Sequence, residues 1–279
     1  FVHNPIMSEQ PILAVIFFAL LLGASLAANP EKTEPALQFF SAIDTAMVTI
    51  VLWVMLLAPM GVFALMAKAI ATMGLDYIAS LAQYVATVLL GLGFHFCVLV
   101  FVILPFAGRF SPIRFVRGMA PALQLAFSTS SSSATLPVTI ECASSRVGVS
   151  RNVCSFILPL GATINMDGTA LYQAVAALFI AQVYGVDLTL MQQFTVFFTA
   201  VVVSVGSAGI PGASVGLMSI VLASVGLPVE GIGIVIGVDR VLDMCRTLVN
   251  VTGDSVGAVV VGRSEGALAR RPVYASSDS

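Results

Sequence analysis

Long apolar stretches alternate with short polar ones along almost the whole chain. A membrane-spanning helix needs about 20 mostly apolar residues, and charge-free windows of that length stand at 10–30, 45–67 and 77–108. These three predict helices that cross a bilayer. Pro59 with Gly61 predicts a kink near the end of the second, because proline removes a backbone donor and crowds the preceding turn. The window at 118–140 is also long enough to span, but a run of hydroxyl residues, STSSSS at 128–133, occupies its middle. Arg109, Arg114 and Arg117 lie before it or at its edge, and Arg146 and Arg151 follow. Short loops rich in Lys and Arg lie in the cytoplasm, so both ends are inside and the segment must enter and return.

A second segment of this kind, 188–229, lies charge-free between Asp187 and Glu230, with SVGSAGIPGAS at 204–214 as its centre. It has no Lys or Arg at either end, so both ends read as external. The two centres share S-A-x-x-P, in SATLP at 133–137 and SAGIP at 207–211. One hairpin entering from each side is an inverted repeat. Irregular backbone at membrane depth is tolerated only where protein buries it or it lines an aqueous cavity, and paired broken segments point to a transporter's binding site. Two further helices are predicted: 152–186, apolar except for Asp167, and 231–262, which carries Asp239, Arg240, Asp243, Arg246, Asn250 and Asp254. At about 100° per residue, all of these but Arg240 fall on one polar stripe. The basic residues Arg263, Arg270 and Arg271 then end the chain in the cytoplasm, with a disordered terminus at 276–279.

Composition agrees with that pattern. Of 279 residues, 58% are hydrophobic and 9% charged, against about 25% charged in soluble domains, so the chain reads as an all-α integral membrane protein. A net charge of -2 removes the basic footprint that nucleic-acid binding requires. Cys97, Cys142, Cys154 and Cys245 lack C-x-x-C spacing and read as reduced core residues rather than a disulfide framework or zinc site. The first residue is Phe1 and no signal-peptide pattern follows, so the chain reads as a fragment lacking its N-terminus.

Ionisable residues inside a membrane are costly, and by default they face a cavity and act there. Asp239 beside Arg240 reads best as a structural ion pair. Asp243 and Arg246, one turn apart and opposite in sign, offer a carboxylate for an ammonium group and a planar fork for a carboxylate. Such a pair suits a zwitterion with a second anionic end. Asp167 and Asp254 have no cationic neighbour within one turn. Each carboxylate then needs a bound cation or a proton. The cation is favoured, because carbonyls freed by broken helices supply the oxygen ligands a hard cation prefers. The serines at 130–133 would offer donors to an anionic substrate group.

The motifs SSSSATLPVT at 130–139, LPLGATINMDGTALYQ at 158–173, SAGIPGA at 207–213 and DMCRTLVNVTGD at 243–254 resemble those of the dicarboxylate/amino acid:cation symporters, the glutamate/aspartate transporter family. The likeness covers nearly the whole chain. It implies a glutamate-transporter-like fold with two oppositely oriented re-entrant hairpins, the first three helices being absent and the chain starting near the end of the fourth. By resemblance, 1–75 would be scaffold-side helices (the end of the fourth, and the fifth) and 76–110 the sixth helix. The transport core would be 111–265, with hairpin 1 at 111–145, the seventh helix at 152–186, hairpin 2 at 188–229 and the eighth helix at 231–262. A cytoplasmic tail would occupy 266–279.

The resemblance further implies that Arg246 binds the substrate side-chain carboxylate and Asp243 its ammonium group, with Ser130, Ser131, Ser132, Thr169, Ile210, Pro211, Gly212, Thr247 and Asn250 completing the site. Main-chain carbonyls of Thr163, Ser204, Val205 and Ser207 with the Met166 sulfur would form one sodium site, and Asn165, Asn250 and Asp254 another. Asp167 would contribute to a third, shared with an absent helix. The chain departs from the family where archaeal members place an arginine at the first hairpin tip and animal members one just after the stripe aspartate: it has Ser130 and Met244 there, and Arg240 is a candidate to replace that charge.

The implied activity is sodium-coupled import of L-aspartate or L-glutamate by an elevator-type homotrimer in a bacterial inner membrane, with sodium as coupling ion and no organic cofactor. Two alternatives are weaker. A proton-coupled C4-dicarboxylate symporter would leave Asp243 uncompensated. An intramembrane aspartyl protease using Asp167 and Asp254 would need G-x-G-D, yet Val251 precedes Thr252, Gly253 and Asp254, and it has no use for Arg246. A serine hydrolase is weaker still, since neither His3 nor His95 lies near the serine run.

Overall fold

A computed structural model describes residues 11–73 and 76–269; residues 1–10, with His3, and 270–279, with the expected basic and disordered end, lie outside the described residues. The chain divides into two compact units, Phe1–Lys68 and Ala69–Ser279.

The first unit contains α1 (Pro11–Ala27) and most of α2 (Pro30–Met73). The apolar window at 45–67 is therefore only part of a longer helix that also takes in the polar segment at 30–44. Local chemistry explains the early start. Pro30 has a helix-ready φ and no N–H to satisfy in the first turn, and Glu31 sits at the positive end of the helix. The Thr33 hydroxyl donates to the carbonyls of Leu26 (2.7 Å) and Asn29 (2.8 Å), tying the two helices at their junction. α2 runs unbroken past Pro59. Proline forfeits one bond, and the apolar turns on either side keep theirs.

In the second unit α3 (Asp76–Cys97) continues through a π-helical turn, Val98–Ile103, into a last α-turn, Leu104–Phe106. The extra residue per turn shows in the Leu104 N–H, which donates to the carbonyl of Leu99. Then come two helix pairs. α4 (Pro112–Thr129) and α5 (Ser132–Glu141) pack on each other across the two-residue tip Ser130 and Ser131. α8 (Leu190–Val205) and α9 (Ala213–Ala223) do the same across the loop at 206–212. Between the pairs lie α6 (Arg151–Ile164) and α7 (Asp167–Val183), and a short 3-10 turn, Val229–Gly231, leads into α10 (Ile232–Ser264).

Capping residues set these boundaries. Ser131 caps α5 by accepting from the Ala134 N–H at 3.1 Å, and Ser150 caps α6 through Val153 N–H. Thr189 and Gln192 form a capping box at α8. Gly212 opens α9 with φ +74, which a residue without Cβ adopts freely.

The expected single helix at 152–186 is broken. Asn165 (φ -93, ψ 80) and Met166 (φ -111, ψ 49) leave helical geometry between α6 and α7. The break falls at the polar centre of the window, around Asn165 and Asp167, while the apolar runs on either side keep the stretch as a whole hydrophobic enough to read as one span.

α10 is central: it packs against α3, α4, α6 and α7 and touches both tip helices, α5 and α9. Its polar stripe therefore faces inward, with Asp239, Asp243, Arg246, Asn250 and Asp254 all buried. Meanwhile Phe94, Phe106, Phe156, Leu190 and Met191 are exposed. Charge inside and large apolar side chains outside is the reverse of a water-soluble domain and is what lipid as solvent selects. Among the described residues the architecture is all-helical apart from an isolated bridge between Val149 and Leu268.

Candidate substrate and cation site

The site begins with three residues of α10 spaced to share a face. Arg246, 2% exposed, donates from Nη2 to Asp243 Oδ1 at 2.5 Å and from Nη1 to Asp239 Oδ1 at 3.5 Å. Its guanidinium also lies over the Tyr172 ring, 4.3 Å from the centroid. Asp239 thus turns to Arg246, seven residues on, and the expected pairing with Arg240 is replaced: Arg240 is exposed. Seven residues are nearly two full turns, whereas the next residue points about 100° away. Two carboxylates now share one buried cation.

Both hairpin tips close on this cluster. The Gly209 carbonyl accepts from the Ser131 hydroxyl (2.6 Å) and the Ser133 N–H (3.2 Å), joining the tips directly. Gly212 N–H donates to Asp243 Oδ2 at 3.0 Å. A small cavity remains, with free space of about 10 Å³, roughly one water. Of the residues expected to bind substrate, Ser130, Ser132, Thr169, Ile210, Asp243, Arg246, Thr247 and Asn250 line it. The other three are not lining residues: Ser131 ties the tips together, Pro211 lies half-buried in the turn, and Gly212 holds Asp243. The Ser130 hydroxyl is buried without a partner, on a residue held at φ 53. Such a donor is costly in a folded protein unless something else satisfies it.

The helix break builds the neighbouring region. Asn250 Oδ1 accepts from the Gly168 N–H at 2.8 Å, while its Nδ2 reaches Met166 Sδ (3.3 Å) and Thr169 Oγ1 (3.2 Å). Asn165 Nδ2 donates to Asp254 Oδ1 at 2.9 Å. Glycines permit this approach: a Cβ on Gly161 would lie 2.5 Å from Asp254 Oδ1, and one on Gly253 would lie 2.7 Å from Asn165 Nδ2 and 3.1 Å from Asp167 Oδ2. Asn165, Asp167 and Asp254 are thereby gathered around Gly253, and Met166 with Asn250 beside Thr169.

Met166 and Ser207 also line this cavity. Thr163 is exposed and turns its hydroxyl back to the Pro159 and Leu160 carbonyls, and the Ser204 carbonyl accepts from the Ser207 N–H in a local turn. Val205 is half-buried at the end of α8. No three His, Cys, Asp or Glu side chains gather as a metal site among the described residues, so a cation here would draw on amide and carbonyl oxygens as well as carboxylate.

Residue-level reading missed two partners. His95 Nε2 meets Asp167 Oδ2 at 2.5 Å, and Tyr172 supports Arg246. A lone histidine in the otherwise apolar window at 77–108 was the available signal; the role of Tyr172 had none, because an aromatic in an apolar helix is ordinary core.

The sequence matches the sodium:dicarboxylate symporter family over residues 1–264. The chain belongs to that family. It is similar to the proton/sodium-glutamate symport protein of Bacillus subtilis (strain 168), 40% identical over 258 residues that make up 92% of this chain and 60% of that protein. It is also similar to excitatory amino acid transporter 3 of Homo sapiens, 45% identical over 251 residues, 90% of this chain and 48% of the relative. An excitatory amino acid transporter of Caenorhabditis elegans is 43% identical over 256 residues, 91% and 51% of the two chains. The chain thus spans about half to three fifths of the length of these relatives. Family membership makes this an integral membrane protein of a transporter family, not an enzyme family. By length and composition, the helical stretches Ile78–Phe106 and Arg151–Val183 suit a bilayer.

If Asp254 neutralises a coupling cation, Asp254→Asn is expected to lower sodium affinity at least tenfold and to flatten the sodium dependence of substrate binding, since coupling exists only where the cation favours the substrate-bound state. Sodium titrations of substrate binding in detergent, on both proteins, measure this; an unchanged curve removes Asp254 from the cation site.

Proposed function

We propose that this chain is the substrate-binding part of a secondary-active symporter that carries L-aspartate or L-glutamate inward with sodium. The observation that carries the reading is the buried pair of Asp243 and Arg246 on the wall of a cavity closed by two hairpin tips. Arg246 takes the substrate's side-chain carboxylate through its two-pronged fork, and Asp243 takes the ammonium group. Ser130, Ser132, Thr169 and Asn250 serve the other carboxylate. A cavity with about 10 Å³ of free space cannot admit an amino acid, so loading requires the α8–α9 tip to swing out, breaking the Gly212 to Asp243 bond. The incoming ammonium group then replaces the Gly212 N–H on Asp243.

In this reading the two helix pairs are re-entrant hairpins entering from opposite sides of the membrane, an inverted repeat around the site. Sodium is cargo, held by Asn165, Asn250 and Asp254, by Asp167, and by Met166 with the carbonyls of Thr163, Ser204, Val205 and Ser207. The core at 111–265 moves as an elevator against the scaffold helices of a homotrimer in a bacterial inner membrane. Names of the relatives support the substrate class: one is a proton/sodium-glutamate symport protein and others are excitatory amino acid transporters.

Uptake of labelled aspartate into proteoliposomes, with and without an inward sodium gradient, tests the proposal. Accumulation that needs the gradient is expected. Accumulation driven by a proton gradient alone, with succinate preferred over aspartate, overturns it in favour of a C4-dicarboxylate carrier.

A further inference from the structure

We propose that Ser214, in the first turn of α9, is a substrate-contacting residue whose hydroxyl donates to the carboxylate that Arg246 does not take, and that Gln173 on α7 positions it. The inference rests on the symporter reading above and adds two residues to it. Ser214 lines the cavity and is 3% exposed, yet its Oγ has no hydrogen-bond partner. The later hydroxyls of the same region show why that is unusual: Ser219 donates back to the Gly216 carbonyl at 2.9 Å and Ser224 to the Val221 carbonyl at 2.7 Å. Ser214 has no such outlet. The carbonyl three residues before it belongs to Pro211, which lies outside the helix, beyond the left-handed Gly212. Its hydroxyl is thus left free on the cavity wall, at the end of the helix where the partial charge is positive.

Gln173 fixes this arrangement. It is fully buried, and its Nε2 donates to the Ser214 carbonyl at 3.0 Å, pinning the first turn of α9 to α7. The tip can therefore close with Ser214 in a reproducible place relative to Thr169 on the same helix, α7, which also lines the cavity. A bound carboxylate would accept from Ser214 on one hairpin and from Ser130, the other unpartnered cavity hydroxyl, on the opposite one.

The test is equilibrium binding of L-aspartate to the purified full chain at saturating sodium. Ser214→Ala is expected to weaken binding about tenfold, the usual effect of losing a hydrogen bond to a charged group, with the melting temperature of the substrate-free protein held or raised, since a buried unpartnered hydroxyl is removed, and the sodium dependence unchanged. Ser214→Cys, which keeps the volume and loses the strong donor, should weaken it similarly. Gln173→Met should weaken binding severalfold alone and add little in the Ser214→Ala background, the non-additivity expected of residues acting through one another. Wild-type affinity in both Ser214 variants overturns the contact, and additive losses overturn the positioning role of Gln173. Wild-type protein that binds no acidic amino acid overturns the symporter reading and the inference with it.

Discussion

Arg246→Cys is expected to lose acidic amino acids by at least a hundredfold while gaining measurable affinity for small neutral ones such as serine and alanine. Arg246 is buried against Asp239 and Asp243, and a site built to pair a charged group rejects an analogue that leaves its own charge unpaired. Breaking such a pair costs about 3 to 5 kcal/mol. In the variant the cation is gone, so a neutral substrate side chain no longer strands it. Asp239 and Asp243 now face the ligand without their shared partner, and a substrate ammonium group becomes the cation that Asp243 lacks. Asp243→Ala should behave differently, weakening all amino acids alike. Competition of aspartate, succinate, serine and alanine against a labelled substrate on both variants measures this. If Arg246→Cys still prefers aspartate to serine, the role given to Arg246 is wrong.

Gly209→Trp is expected to reduce uptake below about a tenth of wild type, and Gly209→Ala to impair it, in protein that still folds and inserts. Even a Cβ at this position would lie 2.7 Å from Ser133 Oγ and 3.1 Å from both the Ser133 nitrogen and the Ala162 carbonyl oxygen. The hydroxyl can rotate away, but the two backbone atoms cannot. A side chain here therefore holds the tips apart and breaks the bonds from Ser131 and Ser133 to the Gly209 carbonyl. A tip that cannot close cannot seal substrate from the other side. Uptake in proteoliposomes, with size-exclusion behaviour as the folding control, decides it: normal uptake by Gly209→Trp shows that tip contact is not required.

The charged wall of the candidate site could be read from spacing alone, whereas Thr169, Ile210, Thr247 and the sodium-ligand set came only with the family resemblance. The stripe on α10 follows from helical periodicity, and Asp243 with Arg246 stand one turn apart in any helix. Helical periodicity equally allows Asp239 to pair with Arg246, and the structure takes that partner in place of the adjacent Arg240. His95 and Asp167 are 72 positions apart, and no local pattern joins them. Nor does anything local predict that Ser214 keeps a free hydroxyl: that depends on where α9 begins, which Gly212 decides by adopting φ +74.

The sequence by itself determined which stretches are apolar enough to be spanning helices, that the centres at 128–133 and 204–214 are hydroxyl-rich or small, and which face of α10 is polar, because these are consequences of hydropathy over a span and of the 100° helical step. Only the tertiary structure decided the break at Asn165 and Met166, the meeting of the two tips at Gly209, and the partners of Asp167 and Asp254. The physical reason is range. A helix is fixed by bonds four residues apart, so its signal is local. A buried charge takes whichever opposite or polar group packing brings within about 3 Å, and that group comes from elsewhere in the chain wherever glycines such as Gly161 and Gly253 let backbones approach.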